Sequence, residues 1–233
     1  MACTVYLVRL SHRYFKDAVA VRLDPAGLRF YEADRHRQGE EVKRPVLVFF
    51  GDSRALMWTS PAALTEYRVV NRGIGNQTTA QVSLRLEADL APLRPDIVVL
   101  EAGVNDLKAV AEFPERRDEI VDDCERNIDR MVARIRSMNA KVVLVGIFGI
   151  GDLAVWRKPF WSDDVITVVR RVNAHLRSLA SNGVLLLDPD PILDDSRGRI
   201  KAEYQSDFLH LDEAGYAALN DRLLVPLVRS LSR

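Results

Sequence analysis

The pattern of apolar and polar positions divides the chain at about residue 45. Beyond that point, five short apolar runs alternate with longer segments in which apolar residues recur every three or four positions. Several of the short runs are continuously apolar and rich in valine and isoleucine, which is typical of strands covered on both faces. The predicted strands are 46–50, 68–71, 96–102, 141–148 and 184–188.

The segments between these strands predict helices. A Ser-Pro pair at 60–61 indicates a helix start, because proline fits the first helical position. Further helices are predicted over 78–90, 164–180 and 213–231, and the clearest is 115–138. The apolar stripe of that helix comprises Ile120, Cys124, Ile128, Met131, Ile135 and Met138. This alternation predicts an α/β fold, a three-layer α/β/α sandwich around a parallel sheet.

Residues 1–44 differ from the rest of the chain. They hold a short strand-like run at 5–10, a turn at 23–27 and a polar stretch at 35–44. This segment has too few apolar residues to bury a core of its own. We therefore interpret residues 1–44 as an N-terminal extension or cap, and residues 45–233 as one domain.

The charge balance excludes some functions. The 33 basic and 33 acidic residues cancel, so no overall field attracts a polyanion and nucleic-acid binding is disfavoured. The uncharged stretch 55–65 contains Pro61, and it is far shorter than the ~20 residues of a membrane span. The first residues lack the apolar core of a secretory signal, and two cysteines, Cys3 and Cys124, make no disulfide framework. A cytoplasmic location is the default expectation, although an N-terminal signal or anchor that had been removed would leave no trace in this sequence. The oligomeric state is left open.

Polar, glycine-containing turns follow the first three predicted strands. They are 51–54 (Gly-Asp-Ser-Arg), 73–76 (Gly-Ile-Gly-Asn) and 103–106 (Gly-Val-Asn-Asp). The carboxyl ends of parallel strands meet at one edge of the sheet, which is where α/β proteins form their active sites. The sequence therefore predicts a catalytic site at this edge, with Ser53 as its nucleophile.

A serine hydroxyl needs a base to take its proton and a third group to orient that base. The four histidines are His12, His36, His175 and His210. Only His210 has an acid three residues before it, Asp207, whereas His175 lies inside a predicted helix without an acid partner and is expected to pack. On a tight turn, Asp207 can reach Nδ1 of His210 while Nε2 faces Ser53. Asp212 and Glu213 are expected to cap the helix that follows.

Acyl transfer also requires hydrogen-bond donors for the developing oxyanion. The main-chain N–H of Ser53 is one candidate, and the second turn can supply another. Asn105, in the third turn, adds a side-chain amide that donates without carrying charge.

Together, four segments resemble the sequence blocks of the SGNH, or GDSL, hydrolases. The segments are 51–53, 71–78 (Asn-Arg-Gly-Ile-Gly-Asn-Gln-Thr), 103–106 and 207–210 (Asp-Phe-Leu-His), in the order of that family. The resemblance spans about residues 45–230. It implies a flavodoxin-like five-stranded parallel sheet, Ser53 as nucleophile, Asp207 as acid and His210 as base. Neither a cofactor nor a metal is expected.

Three positions depart from the family pattern. Arg54 stands where leucine gives the family its name, and we expect this to leave the chemistry unaffected. Asn76 occupies a glycine position of the second block, and asparagine tolerates left-handed backbone angles, so its main-chain N–H can still donate. Gly75 is the donor if the register shifts by one. Phe208 replaces a small residue and would narrow the site.

The loop over 149–163 follows the fourth predicted strand at the same edge and holds Trp156, Phe160 and Trp161. These rings either pack in the interior or form a wall for the acyl or sugar part of a substrate. Both interpretations stay open.

The sequence thus predicts a serine ester hydrolase that acts through an acyl-enzyme on a small-molecule, carbohydrate or lipid ester, as an esterase, acetylesterase or lipase-like enzyme. An acyltransferase would share every catalytic residue, and a non-catalytic binding module could share the fold. An α/β-hydrolase is disfavoured, because Ala55 replaces the last glycine of its Gly-x-Ser-x-Gly motif.

Overall fold

The computed structural model describes residues 2–36, 44–153, 162 and 164–231. The strands are β1 (Val46–Gly51), β2 (Arg68–Gly73), β3 (Ile97–Glu101), β4 (Lys141–Val145) and β5 (Val184–Leu187). The helices are α1 (Ala2–Leu23), α2 (Glu32–His36), α3 (Ser53–Leu56), α4 (Thr79–Leu84), α5 (Leu86–Leu90), α6 (Val104–Leu107), α7 (Arg117–Ser137), α8 (Asp164–Ser178), α9 (Asp190–Leu193), α10 (Glu213–Leu219) and α11 (Val225–Leu231).

The five strands form one parallel sheet in the order β2-β1-β3-β4-β5. In the middle of β1, Val48 pairs with Val70 of β2 and with Val98 of β3. This is the flavodoxin-like order, so the predicted fold class is confirmed. The strand order reverses between β1 and β3, and ligands of such sheets bind beside the carboxyl ends at that point.

Side chains of β1 alternate between two buried layers. Val48 and Phe50 pack under α4, α7 and α8, whereas Leu47 and Phe49 pack with Trp58, α10 and α11. Burying an apolar side chain of this size contributes about 1.5–3 kcal/mol, so both faces of the sheet stabilise the fold. Within the described residues, no helix is long and apolar enough to cross a membrane.

The predicted helix over 115–138 is observed as α7, and its Cys124 is fully buried, where burial raises the pKa of the thiol well above its ordinary value. The segment over 213–231 is helical but not uniform, because a π-helical turn at Asn220–Leu224 separates α10 from α11. Pro226 lies just beyond that turn and has no N–H to continue an α-helical ladder.

The predicted strand at 5–10 is wrong, because these residues belong to α1. A short apolar run fits either a strand or a helix. Here the whole of Ala2–Leu23 lacks glycine and proline, so nothing stops the helix from continuing.

The predicted helix start at 60–61 is also wrong, since residues 58–67 form turns. Trp58 donates from Nε1 to Asn220 Oδ1 at 2.8 Å, and Asn220 donates back to the Thr59 oxygen at 3.0 Å. Trp58 and Leu64 are both buried. These contacts hold the chain in a turn that packs both side chains.

Candidate active site

Ser53 follows β1 through a turn that tolerates little change. Gly51 has φ +153°, and a Cβ on it would lie 1.7 Å from the main-chain oxygen of Glu101 on β3, so only glycine fits. Asp52 then caps α3, because its Oδ1 accepts the N–H of Arg54 at 2.9 Å. Ser53 is consequently the first residue of the short helix α3. It lies at the carboxyl edge of the sheet, where the sequence analysis placed it.

The three residues of the predicted triad lie in one hydrogen-bonded line. His210 Nε2 is 2.9 Å from Ser53 Oγ, although 157 positions separate the two residues. Nδ1 of the same ring is 2.9 Å from Oδ2 and 3.0 Å from Oδ1 of Asp207. This is the arrangement through which a serine hydroxyl is activated in hydrolases.

Asp207 is held in its ionised form. Partial burial acts to raise its pKa, but the hydrogen bond to the His210 ring and the main-chain N–H groups of Leu209 and His210 outweigh this and lower it. Those N–H groups lie 2.7 and 2.8 Å from Oδ1. A carboxylate fixed in this way orients the imidazole and stabilises its protonated form.

The turn that carries His210 is anchored by the helix after it. Asp212 caps α10, with Oδ1 accepting the N–H of Gly215 at 2.9 Å, as predicted. The main-chain oxygen of His210 also accepts the N–H of Ser206 at 3.0 Å.

Asn105 connects the third turn to the second. Its side chain is buried, and Nδ2 donates to the main-chain oxygen of Gln77 at 2.9 Å. An amide carries two hydrogens, so one remains for a ligand. Oδ1 of the same amide is buried without a hydrogen-bond partner among the described residues.

The second turn brings its backbone next to Ser53. A Cβ placed on Gly75 would lie 4.0 Å from the Ser53 Cβ, which shows how close the two residues are. Asn76 has φ +64°, the left-handed conformation expected of an asparagine at a glycine position. Both residues remain candidates for the main-chain oxyanion donor.

Asp106 secures the start of α4. Its carboxylate accepts the main-chain N–H of Thr79 at 2.8 Å and the Thr79 hydroxyl at 2.7 Å. Burial raises the pKa of Asp106 to about 6 in spite of these hydrogen bonds. The residue therefore fixes the second turn against the third.

Arg54 makes contacts that the sequence analysis did not foresee. Its guanidinium is buried, lies 3.7 Å above the Phe148 ring, and donates to main-chain oxygens of three residues in two different loops. These acceptors are Leu209 (3.2 and 3.1 Å), Phe148 (2.8 Å) and Gly149 (3.1 Å). The side chain joins the Ser53 turn to the His210 loop, and the expectation that Arg54 leaves the chemistry unaffected stays a prediction.

Two buried acids, Asp52 in the Ser53 turn and Glu101 at the end of β3, lie close to the proposed nucleophile. Glu101 is buried, and neither carboxyl oxygen has a hydrogen-bond partner within the described part of the chain. Burial raises the pKa of Glu101 well above its ordinary value, and the negative charge of the nearby Asp52 adds to this effect. Burial also raises the pKa of Asp52. The sequence offered one indication of this buried acid, namely a glutamate at the end of an otherwise apolar strand.

Phe208 packs partly buried against the apolar layer, and its main-chain oxygen accepts the N–H of Gly151 at 2.8 Å. Its effect on the width of the site stays a prediction.

Trp156, Phe160 and Trp161 lie outside the described residues. The expectation that His175 has no acid partner is wrong, because its Nε2 lies 2.7 Å from Asp129 Oδ1. In the described ranges, no cluster of three or more His, Cys, Asp or Glu side chains could hold a metal ion.

Comparison with known families agrees with this geometry. The profile of the GDSL-like lipase/acylhydrolase family matches residues 49–218. The chain belongs to this family. It is an ester hydrolase with the SGNH fold, and the resemblance found in the sequence is confirmed.

Three relatives illustrate the similarity. The chain is 28% identical over 188 residues to human platelet-activating factor acetylhydrolase IB subunit alpha2, covering 76% of this chain and 73% of that protein. It is 37% identical over 83 residues to esterase TesA of Pseudomonas aeruginosa, covering 35% and 37% of the two chains. The crystal structure of a GDSL-like lipase from Bacteroides thetaiotaomicron superposes with a TM-score of 0.68 at 21% identity, covering 88% of this chain and 99% of that one. The last comparison concerns the fold alone.

Proposed function

We propose that this hydrolase cleaves carboxylic esters through an acyl-enzyme on Ser53, with His210 as the base and Asp207 as the group that orients it. The observation that carries this proposal is the continuous line from Asp207 through His210 to Ser53, with contacts of 2.9 Å on both sides of the ring. A binding module would have no need of such a line.

The reaction proceeds in two halves. In the first, Ser53 Oγ attacks the ester carbonyl as its proton passes to His210 Nε2, and the proton then goes to the departing alcohol. In the second, water gives its proton to the same nitrogen and attacks the acyl-enzyme, which releases the acid and restores the Ser53 hydroxyl. Asp207 stays ionised throughout and stabilises the charged ring.

Three donors serve the oxyanion in this proposal. They are the main-chain N–H groups of Ser53 and Asn76 and the free hydrogen of the Asn105 amide, with Gly75 as the alternative to Asn76. The left-handed backbone of Asn76 and the buried, oriented amide of Asn105 support this set. Removing one such donor typically costs 10²–10³ in kcat in a serine hydrolase.

Short acyl esters are the first substrates to test, because the human relative is named as an acetylhydrolase. We expect turnover of p-nitrophenyl acetate, with release of acetate into water. An acyltransferase would instead pass the acyl group to an alcohol added at millimolar concentration in preference to water.

Covalent labelling tests the site of attack. A fluorophosphonate probe should add to the peptide that contains Ser53 and abolish turnover in proportion to labelling. Ser206, which lies exposed in the His210 loop, provides a matched control, since Ser206→Ala should label normally. Labelling at another residue, or retained turnover in the labelled enzyme, would contradict the proposal.

A further inference from the structure

The N-terminal segment after α1 is attached to the turn that carries the proposed oxyanion donors. Gln77 donates from Nε2 to the main-chain oxygen of Ala26 at 2.9 Å. The hydroxyl of Tyr31 donates to the main-chain oxygen of Gly73 at 2.6 Å. Ala26 and Tyr31 are both buried. Residues 24–36 therefore form a fixed part of the described structure, although the family profile begins only at residue 49.

A buried ion pair strengthens this attachment. Arg35 lies 2.6 Å from one carboxyl oxygen of Asp89, and Arg85 lies 2.9 Å from the other. The Asp89 side chain is inaccessible to solvent. Arg85 also donates to the main-chain oxygen of Gly51 at 2.7 Å. A line of buried hydrogen bonds thus runs from the N-terminal segment to the residue two positions before Ser53.

A groove of about 500 Å³ lies between the N-terminal segment and the second turn. One wall is the end of α1 and the residues after it, and the other wall comprises residues 74–77. This volume falls in the range of pockets that bind small molecules, about 300–1,000 Å³. Gly75 and Asn76 line the groove, and Gly75 is the residue next to Ser53. The groove therefore borders the turn that lies beside Ser53.

The polar side chains that border the groove are largely engaged within the protein. Asp24 accepts the main-chain N–H groups of Leu28 and Arg29, each at 2.9 Å. The Gln77 amide donates from Nε2 to the main-chain oxygen of Ala26 and accepts at Oε1 from Arg85. Arg29, an exposed residue, also borders the groove.

Apart from the exposed Arg29 and Asn76, the accessible side chains of the groove wall are mainly apolar. Phe30 is 57% exposed and Val21 is 51% exposed, although both lie on its wall, and Ala20, Pro25 and Ile74 add to the apolar lining. A sugar would need free donors and acceptors, whereas an alkyl chain needs only apolar area.

We propose that this groove binds the acyl chain of esters longer than acetyl, so that Phe30 and Val21 of the N-terminal segment determine chain-length specificity. This inference rests on the proposed function of Ser53, because it assigns the substrate of that same site. The acyl carbon is bonded to the oxygen that Asn76 and Asn105 would hold, so a chain attached to it starts beside the groove.

The test compares p-nitrophenyl acetate, butyrate and octanoate in two groove variants. Phe30→Ala and Val21→Asp should each lower kcat/KM for octanoate by about tenfold or more, mainly through KM, with a much smaller loss for acetate. The chain offers controls of equal exposure away from the groove. Phe113 is 49% exposed and Val5 is 50% exposed, so Phe113→Ala and Val5→Asp should preserve the wild-type profile.

A wild-type enzyme that hydrolyses the acetate ester but neither the butyrate nor the octanoate would overturn the inference, and so would any of three results with the variants. The first is an unchanged chain-length profile in both groove variants. The second is an equal loss for acetate and octanoate, which would indicate damage to the second turn. The third is a selective loss with octyl acetate, whose chain lies on the alcohol side, without a loss with octanoate. A wild-type enzyme without esterase activity would instead refute the proposed function, so the two failures are distinguishable.

Discussion

The guanidinium of Arg54 donates two hydrogen bonds to the main-chain oxygen of Leu209, from Nε at 3.2 Å and from Nη2 at 3.1 Å. Leu209 precedes His210, and Arg54 follows Ser53. One buried side chain therefore spans the two loops that carry the proposed base and the proposed nucleophile. We regard Arg54 as a positioning residue, since its contacts act on the reaction only through His210.

Arg54→Leu should lower kcat by on the order of 10–100-fold with a smaller change in KM, because a small misplacement of His210 slows proton transfer. Buried carbonyl oxygens would also lose their donor, so the melting temperature should fall. Arg54→Lys should recover part of kcat. Arg229→Leu, which removes a distant arginine–carbonyl contact, is the control. A stable Arg54→Leu variant with wild-type kcat would contradict the role.

The two asparagines should respond differently to substitution. Asn105→Ala removes a side-chain donor and should lower kcat by about 10²–10³. Asn76→Gly should retain most activity, because the proposed donor is its main chain and glycine adopts φ +64° without strain. Asn76→Val should be more harmful than Asn76→Gly, since a β-branched residue is strained at that angle. Equal losses for Asn76→Gly and Asn105→Ala would show that the Asn76 side chain takes part.

Asp106 should make stability depend on pH. Burial raises its pKa from 3.8 to about 6, so the folded state binds this proton more tightly than the unfolded state. The stabilisation is complete below about pH 4 and is lost as pH rises through 6. The melting temperature of the wild type should therefore fall relative to that of Asp106→Asn between pH 4 and 6. A constant difference from pH 4 to 7 would contradict this pKa.

Trp156 and Trp161 lie outside the described residues, so their contribution stays a prediction. If these rings line the site, Trp156→Ala and Trp161→Ala should change the ranking of acetyl, butyryl and octanoyl esters. A packing role predicts a lower melting temperature with the ranking unchanged. Measuring kcat/KM for the three esters alongside thermal unfolding separates the two interpretations.

The sheet and the pairing of Asp207 with His210 could be predicted because local chemistry specified them. Val46–Gly51 is continuously apolar and rich in valine and phenylalanine, which is typical of a strand covered on both faces, and polar turns follow this strand and its neighbours. Asp207 and His210 are three residues apart, so their pairing needs only a tight turn.

Other features depend on distant contacts that a sequence does not display. Arg54 acquires its acceptors from residues 94 to 155 positions away. The turn at Trp58 depends on Asn220, and the break between α4 and α5 falls at Arg85, whose buried side chain reaches Gly51. The apolar run at 5–10 fitted two structures equally well, and its length alone could not distinguish them.

The proposed nucleophile is tested most directly by the kcat of Ser53→Ala with p-nitrophenyl acetate. The substitution removes one hydroxyl from a helix start and leaves both apolar layers of the sheet intact, so the variant should fold. We predict a loss of several orders of magnitude in kcat, with a melting temperature close to that of the wild type and normal activity in Ser206→Ala. A folded Ser53→Ala enzyme that retains wild-type kcat would contradict the assignment of Ser53 as the nucleophile.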